Sequence, residues 1–91
     1  MDIKELRDRI DEIDDGLLEL FRQRMDVSAE IALYKRRNGM PVRDPAREGQ
    51  ILQSLSQKVA KERESAVIAL FSLLFELSRA EQEKLLNTGV I

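Results

Sequence analysis

The chain has 91 residues and a net charge of −2, and it contains neither Cys nor His. Disulfide bonds are therefore excluded, and no metal site is expected because the usual ligands of zinc and haem are absent. The negative charge argues against a general nucleic-acid binder, which would normally carry a basic surplus. No apolar stretch is long enough to span a membrane, and the N-terminus lacks the basic start and apolar core of a signal peptide, which predicts a cytoplasmic location.

A chain this short forms a single domain, 1–91, and so small a domain is marginally stable on its own. Its composition, with 35% charged residues, two Pro and four Gly, is typical of a helical protein. Without disulfides or metals, oligomerisation is the expected source of additional stability.

The first predicted element is one long helix over about 3–37. Arg24 stands where the heptad pattern of this helix requires an apolar residue. It is either a register-setting polar residue whose head reaches water, or an anion-binding arginine that faces the interior. The apolar residues recur at alternating steps of three and four, as in a helix packed along another helix, at Ile3, Leu6, Ile10, Ile13, Leu17, Leu20, Val27, Ile31 and Tyr34.

Two further helices are predicted after a break around Gly39 and Pro41. Asp44 as N-cap and Pro45 at the first helical position start a second helix over about 45–61. A third helix follows over about 65–86, and the position of the break between these two stays open because no Gly or Pro separates them. The second helix has a buried face of Leu52, Leu55 and Val59 that reaches Glu48 one turn earlier, and the third has a face of Phe71, Leu74, Phe75, Ser78, Gln82 and Leu85.

Several polar residues therefore lie on faces that are otherwise apolar. Together they indicate a polar pocket inside a helical core, suited to a small anionic ligand that carries hydroxyl or ether oxygens. No nucleophile–base pair and no Gly-rich phosphate loop accompanies them, so an enzyme built this way would act by positioning and electrostatic stabilisation. The inward polar residues are Arg24, Lys35, Glu48, Ser78 and Gln82.

Three segments carry a resemblance to a known family. Residues 6–14 and 17–24 are similar to its opening helix, residues 34–48 follow its K…P-V-x-D-x-x-R-E signature, and residues 70–82 match its third helix. On these segments the chain resembles the all-α (type II) chorismate mutases, which also occur fused to prephenate dehydratases and dehydrogenases. The connection between helices 2 and 3 departs from the family, being about two residues shorter and without the usual turn residues.

The resemblance implies an all-α fold of three helices that form an intertwined homodimer. It also implies rearrangement of chorismate to prephenate in phenylalanine and tyrosine biosynthesis, with no cofactor. Lys35 and Gln82 match the pair that hydrogen-bonds the ether oxygen of the breaking bond. Glu48, with the backbone near Asp44, matches the group that binds the ring hydroxyl.

The other family positions concern substrate binding. Arg7, Arg24 and Lys35 match the cations that hold the two carboxylates of chorismate, Ser78 matches a carboxylate contact, and Arg47 lines the site. Arg7 and Lys35 lie 28 residues apart, or about 42 Å along one helix, so no small ligand touches both in one chain. An antiparallel pair of first helices would bring Arg7 of the partner subunit to the site.

Two alternative functions stay open. One is a non-enzymatic helical dimerisation module, which the heptad of helix 1 supports but which leaves the inward polar residues unexplained. The other is an isochorismate-pyruvate lyase of the same fold, with which Lys35 and the loop after helix 1 are compatible. The joint presence of Lys35, Glu48 and Gln82 favours chorismate.

Overall fold

The structure is a computed structural model, which describes residues 2–87. These residues form three α-helices and one short 3-10 turn, without any strand. The helices are α1 (Ile3–Arg37), α2 (Pro45–Lys58) and α3 (Glu64–Asn87), and the 3-10 turn is Lys61–Arg63. The all-α class with one long and two shorter helices is thereby confirmed.

Local hydrogen bonds define both ends of α1. The carboxylate of Asp2 accepts a hydrogen bond from the backbone N–H of Glu5 at 2.9 Å and caps the first turn. At the other end, Gly39 has a φ of +63°, and the backbone N–H of Met40 donates to the carbonyl of Lys35 at 2.8 Å. This is the glycine-terminated ending that reverses a helix, and it turns the following loop back towards Lys35.

The connection between α2 and α3 differs from the expected bounds. α2 ends at Lys58 rather than near 61, and Val59 is its extended C-cap. The 3-10 turn that follows leads directly into Glu64, one residue before the expected start. With neither Gly nor Pro in the segment, the break follows from the need to fold α2 back along α3 rather than from a strong local signal.

α3 packs against both other helices and holds the small core together. Within residues 2–87 the buried apolar side chains are Ala32 and Phe75, and three polar residues are buried beside them. Phe71 and Phe75 meet edge to face at 6.5 Å between ring centroids. The buried polar residues are Ser28, Ser78 and Gln82.

The N-terminal half of α1 extends away from this core. All residues from 2 to 23 are exposed, and the apolar stripe stays exposed along the whole helix, at 42% to 63% for its nine members. The molecule measures 54 × 28 × 14 Å and has a radius of gyration of 16.5 Å, whereas a compact domain of this length has about 12 Å. The part of the stripe from Ile3 to Leu20 therefore has no partner within residues 2–87.

Candidate active site

A cavity of about 350 Å³ lies where the C-terminal half of α1 meets α2 and α3. Its apolar lining includes Val27, Ile31 and Phe75, and its polar lining comes from all three helices and from the loop before α2. Seven of the eight site residues expected from the sequence line it. These are Arg24, Lys35, Asp44, Arg47, Glu48, Ser78 and Gln82.

Arg24 reaches from α1 across to α3. Its Nη1 donates a hydrogen bond to Oγ of Ser78 at 2.5 Å, and its guanidinium lies 5.8 Å from the ring centroid of Phe75. The hydroxyl and the ring face hold the flat guanidinium in a defined orientation at the cavity wall. The sequence left two interpretations of Arg24 open, a side chain that reaches water or one that faces the interior. The structure favours the second.

Lys35 is oriented by the loop that ends α1. Its Nζ donates to the backbone carbonyl of Val42 at 2.6 Å, a contact made possible by the turn at Gly39. An ammonium has three N–H donors, so this bond positions the cation while two donors stay free to bind an oxygen in the cavity.

Glu48 forms an ion pair at the cavity wall with Arg79, a residue that was not among those expected from the sequence. Nη1 of Arg79 lies 2.5 Å from Oε2 of Glu48, and both side chains are 22% exposed. Arg79 follows Phe75 by four residues and precedes Gln82 by three, so the helical period places it on the same face. This spacing is the sequence signal that could have identified Arg79 as a cavity residue. It was missed because an arginine next to Ser78 was assumed to be exposed.

Gln82 is the most deeply buried polar side chain of the cavity, at 5% exposure, together with Ser28. Its Oε1 has no hydrogen-bond partner in the part of the chain that the structure describes. Buried polar atoms are nearly always paired, so an unpaired amide oxygen on a cavity wall marks a position from which a ligand can be bound. Rotation of the carboxamide presents either its oxygen or its N–H₂ group to that ligand.

Asp44 and Arg47 lie at the exposed rim of the cavity. Oδ1 of Asp44 accepts a hydrogen bond from the backbone N–H of Arg47 at 3.0 Å, so Asp44 is the N-cap of α2. The remaining expected residue, Arg7, is exposed on α1 and does not line the cavity. It is about 26 Å from Arg24 along the helix, so its own chain cannot bring it to the site.

The charge of the cavity suits an anion. Four cations and two carboxylates line it, and one carboxylate is paired with Arg79 while the other caps a helix. Within residues 2–87 no group of acidic residues is arranged to hold a metal ion, and no helix is long and apolar enough to cross a membrane. The site can thus clamp a small dianion and place a cation and an amide against its interior, without groups for covalent catalysis.

Comparison with known proteins agrees with this fold. The family model for chorismate mutase type II matches residues 6–83, and the chain belongs to that family. Chorismate mutases are isomerases, and the assignment made from the sequence is confirmed.

Three relatives show the range of the family. A chorismate mutase from Methanocaldococcus jannaschii is 34% identical over 93% of this chain and 88% of its own length. A 4-amino-4-deoxychorismate mutase from Streptomyces venezuelae is 30% identical over 88% of this chain and 81% of its own length. A bifunctional chorismate mutase/prephenate dehydratase from Buchnera aphidicola is 33% identical over 94% of this chain, which spans 23% of that longer protein.

Proposed function

We propose that this chain catalyses the rearrangement of chorismate to prephenate, in the biosynthesis of phenylalanine and tyrosine. The observation that carries the proposal is the convergence of Lys35, Glu48 and Gln82, one from each helix, on a single cationic cavity. Neither a dimerisation module nor a packed core requires this arrangement. An amide oxygen left unpaired in a side chain of 5% exposure would only weaken such a core.

The electrostatic part of the proposed mechanism uses Lys35 and Gln82. In this unimolecular shift the C–O bond breaks ahead of C–C bond formation, so negative charge develops on the ether oxygen. The ammonium of Lys35, held by the carbonyl of Val42, meets this charge, and the amide of Gln82 donates an N–H to the same oxygen. Preorganised donors of this kind each lower a barrier by roughly 3–4 kcal/mol.

The positioning part uses the arginines and Glu48. Arg24, oriented by Ser78, binds one substrate carboxylate, and Arg47 lies at the rim to close the site. The Glu48 carboxylate accepts a hydrogen bond from the ring hydroxyl, beside the backbone at Asp44. Such a clamp holds the flexible dianion in the compact conformer in which the two reacting carbons meet.

The proposal predicts that Lys35→Ala abolishes most of the activity. The wild type should consume chorismate, which is measured as the loss of chorismate absorbance. The variant should be slower by about 100-fold to 1,000-fold, because the transition state loses its cation. Lys61→Ala is the matched control, since Lys61 is exposed on the 3-10 turn away from the cavity. If the wild type leaves chorismate intact but releases pyruvate from isochorismate, the proposed function is wrong and the protein is an isochorismate-pyruvate lyase.

We further propose that the enzyme is a homodimer in which α1 pairs antiparallel with α1 of the partner subunit. The accessible surface of the chain is 7237 Å², whereas a compact monomer of 10.5 kDa has roughly 5,400 Å². The excess of roughly 1,800 Å² per chain is of the size that permanent dimers bury. The exposed apolar stripe on α1 supplies the surface for this pairing.

The antiparallel pairing also completes the active site. It places the N-terminal half of one α1 beside the C-terminal half of the other, so Arg7 of the partner subunit approaches the cavity that holds Arg24 and Lys35. Arg7 of the partner subunit would then bind the second carboxylate of the substrate, which Arg7 of the same chain cannot reach.

Mixing two inactive variants tests the shared site. When Arg7→Ala and Lys35→Ala chains are unfolded together and refolded, half the dimers are mixed and each has one intact site, so about a quarter of wild-type activity should return. Lys35→Ala mixed with Arg24→Ala is the control, because both residues belong to the same chain's cavity and no intact site forms. Equal results from the two mixtures would contradict the shared site.

A further inference from the structure

The ion pair between Glu48 and Arg79 connects α2 to α3 at the wall of the cavity. Its atoms lie 2.5 Å apart, both side chains are mostly buried, and both line the cavity. Glu48 is thereby held in one place by a partner on a different helix. Loss of one member of such a pair leaves a charge uncompensated in a partly buried position.

The pair still leaves Glu48 able to bind a substrate. A carboxylate has about four acceptor positions, and Arg79 occupies one of them through Oε2. A ring hydroxyl can donate to another, because a hydroxyl brings no net charge to a pair that is already neutral. Glu48 and Arg79 together thus behave as a neutral acceptor with a fixed direction.

An ammonium group meets a different environment. It is attracted to Glu48, but the guanidinium of Arg79 lies beside the same carboxylate and repels it, and Arg24, Lys35 and Arg47 add further positive charge to the cavity. The relative from Streptomyces venezuelae is named for a substrate in which an amino group replaces the hydroxyl at ring carbon 4. An amine on a saturated ring carbon is protonated near neutral pH.

We propose that Arg79 is a positioning residue that makes this site select a hydroxyl over an ammonium group at ring carbon 4. It acts through Glu48, by fixing the carboxylate and cancelling its charge. The assignment rests on the proposed chorismate mutase function and on the role of Glu48 within it. The site discriminates in two ways: the guanidinium of Arg79 repels the ammonium group of the amino substrate, and Glu48 accepts a hydrogen bond from the hydroxyl of chorismate.

The test compares two substrates in the wild type and in Arg79→Met. With Arg79 removed, Glu48 becomes an unpaired anion that favours an ammonium. The hydroxyl substrate loses an acceptor that is fixed in place, and its two carboxylates meet an additional uncompensated negative charge in the cavity. We expect kcat/KM for chorismate to fall about tenfold or more, and the ratio of kcat/KM for 4-amino-4-deoxychorismate over chorismate to rise about tenfold or more. Arg79→Lys keeps the charge and should keep the wild-type ratio within about threefold.

Two controls separate selection from folding. Arg63→Met removes an arginine from the exposed 3-10 turn outside the cavity and should leave both substrates unaffected. Glu48→Gln in the Arg79→Met background removes the unpaired anion, so the ratio should return towards that of the wild type. If Arg79→Met slows both substrates equally, Arg79 is only structural and the proposal is overturned. If the wild type rearranges neither substrate, the proposed function itself fails.

Discussion

At the scale of single residues, the core of this chain contains more buried polar than buried apolar side chains, as expected if stability is given up for the proposed binding site. Among the described residues, Ser28, Ser78 and Gln82 are buried beside only two buried apolar side chains, Ala32 and Phe75. Ser78 is paired with Arg24, but Oε1 of Gln82 has no partner in residues 2–87. Polar groups placed against the local apolar pattern are typical of functional sites, where the cost in stability is tolerated.

Substitution of Gln82 by Met tests this trade directly. Met has a similar length and removes the unpaired buried amide, so the free energy of unfolding should rise or change by less than about 1 kcal/mol. Turnover of chorismate should fall by roughly 100-fold to 1,000-fold, because the ether oxygen loses a donor. Urea unfolding and the chorismate assay on the same preparation measure both quantities.

Phe75→Met serves as the matched control for Gln82→Met, because it changes a buried apolar neighbour on the same face of α3. It should lower the free energy of unfolding by roughly 1–3 kcal/mol, since packed volume is lost. A Gln82→Met protein that keeps chorismate turnover within tenfold of the wild type would remove Gln82 from the mechanism.

At the scale of elements, α1 uses two different faces for two purposes. The face that packs on α3 carries Arg24, Ser28 and Ala32, which are small or polar. The heptad stripe lies beside this face and shares Arg24 with it. The stripe remains exposed, although Val27 and Ile31 also line the cavity. Because most of the stripe does not contribute to the core within residues 2–87, its length of about 46 Å is available for the proposed pairing with a second copy.

The end of α1 and the start of α2 position side chains of the candidate active site. The turn at Gly39 brings the carbonyl of Val42 to Lys35, and the cap at Asp44 starts α2 so that Glu48 is one turn inside it. The start of α2 is readable from the sequence because N-cap and proline signals are strong and local. The end of α2 at Lys58 is not, since it depends on packing against α3.

At the scale of the whole molecule, the open shape is consistent with the proposed dimer as a source of stability. If folding and dimerisation are coupled, the melting temperature should fall by about 3–5 °C for each tenfold dilution of the protein. Thermal unfolding followed by circular dichroism at several concentrations measures this. A melting temperature that is independent of concentration would contradict the dimer.

Paired substitutions on α1 test whether the proposed association uses the apolar stripe. Ile10 lies on the stripe and Glu12 on the opposite face, and both are exposed within the chain. Ile10→Ser should lower the melting temperature and steepen its dependence on dilution, whereas Glu12→Ser should change neither. Equal, small effects would mean that the stripe is not the interface.

The sequence by itself determines the helices, the break at Gly39, the start of α2 and most residues of the cavity. These features depend on local rules, namely heptad period, capping and polar residues that interrupt an apolar face. Only the tertiary structure decides that Arg24 turns towards Ser78 and that Glu48 is paired with Arg79. Each of these depends on which helix faces which, and that is set by packing between residues far apart in the chain.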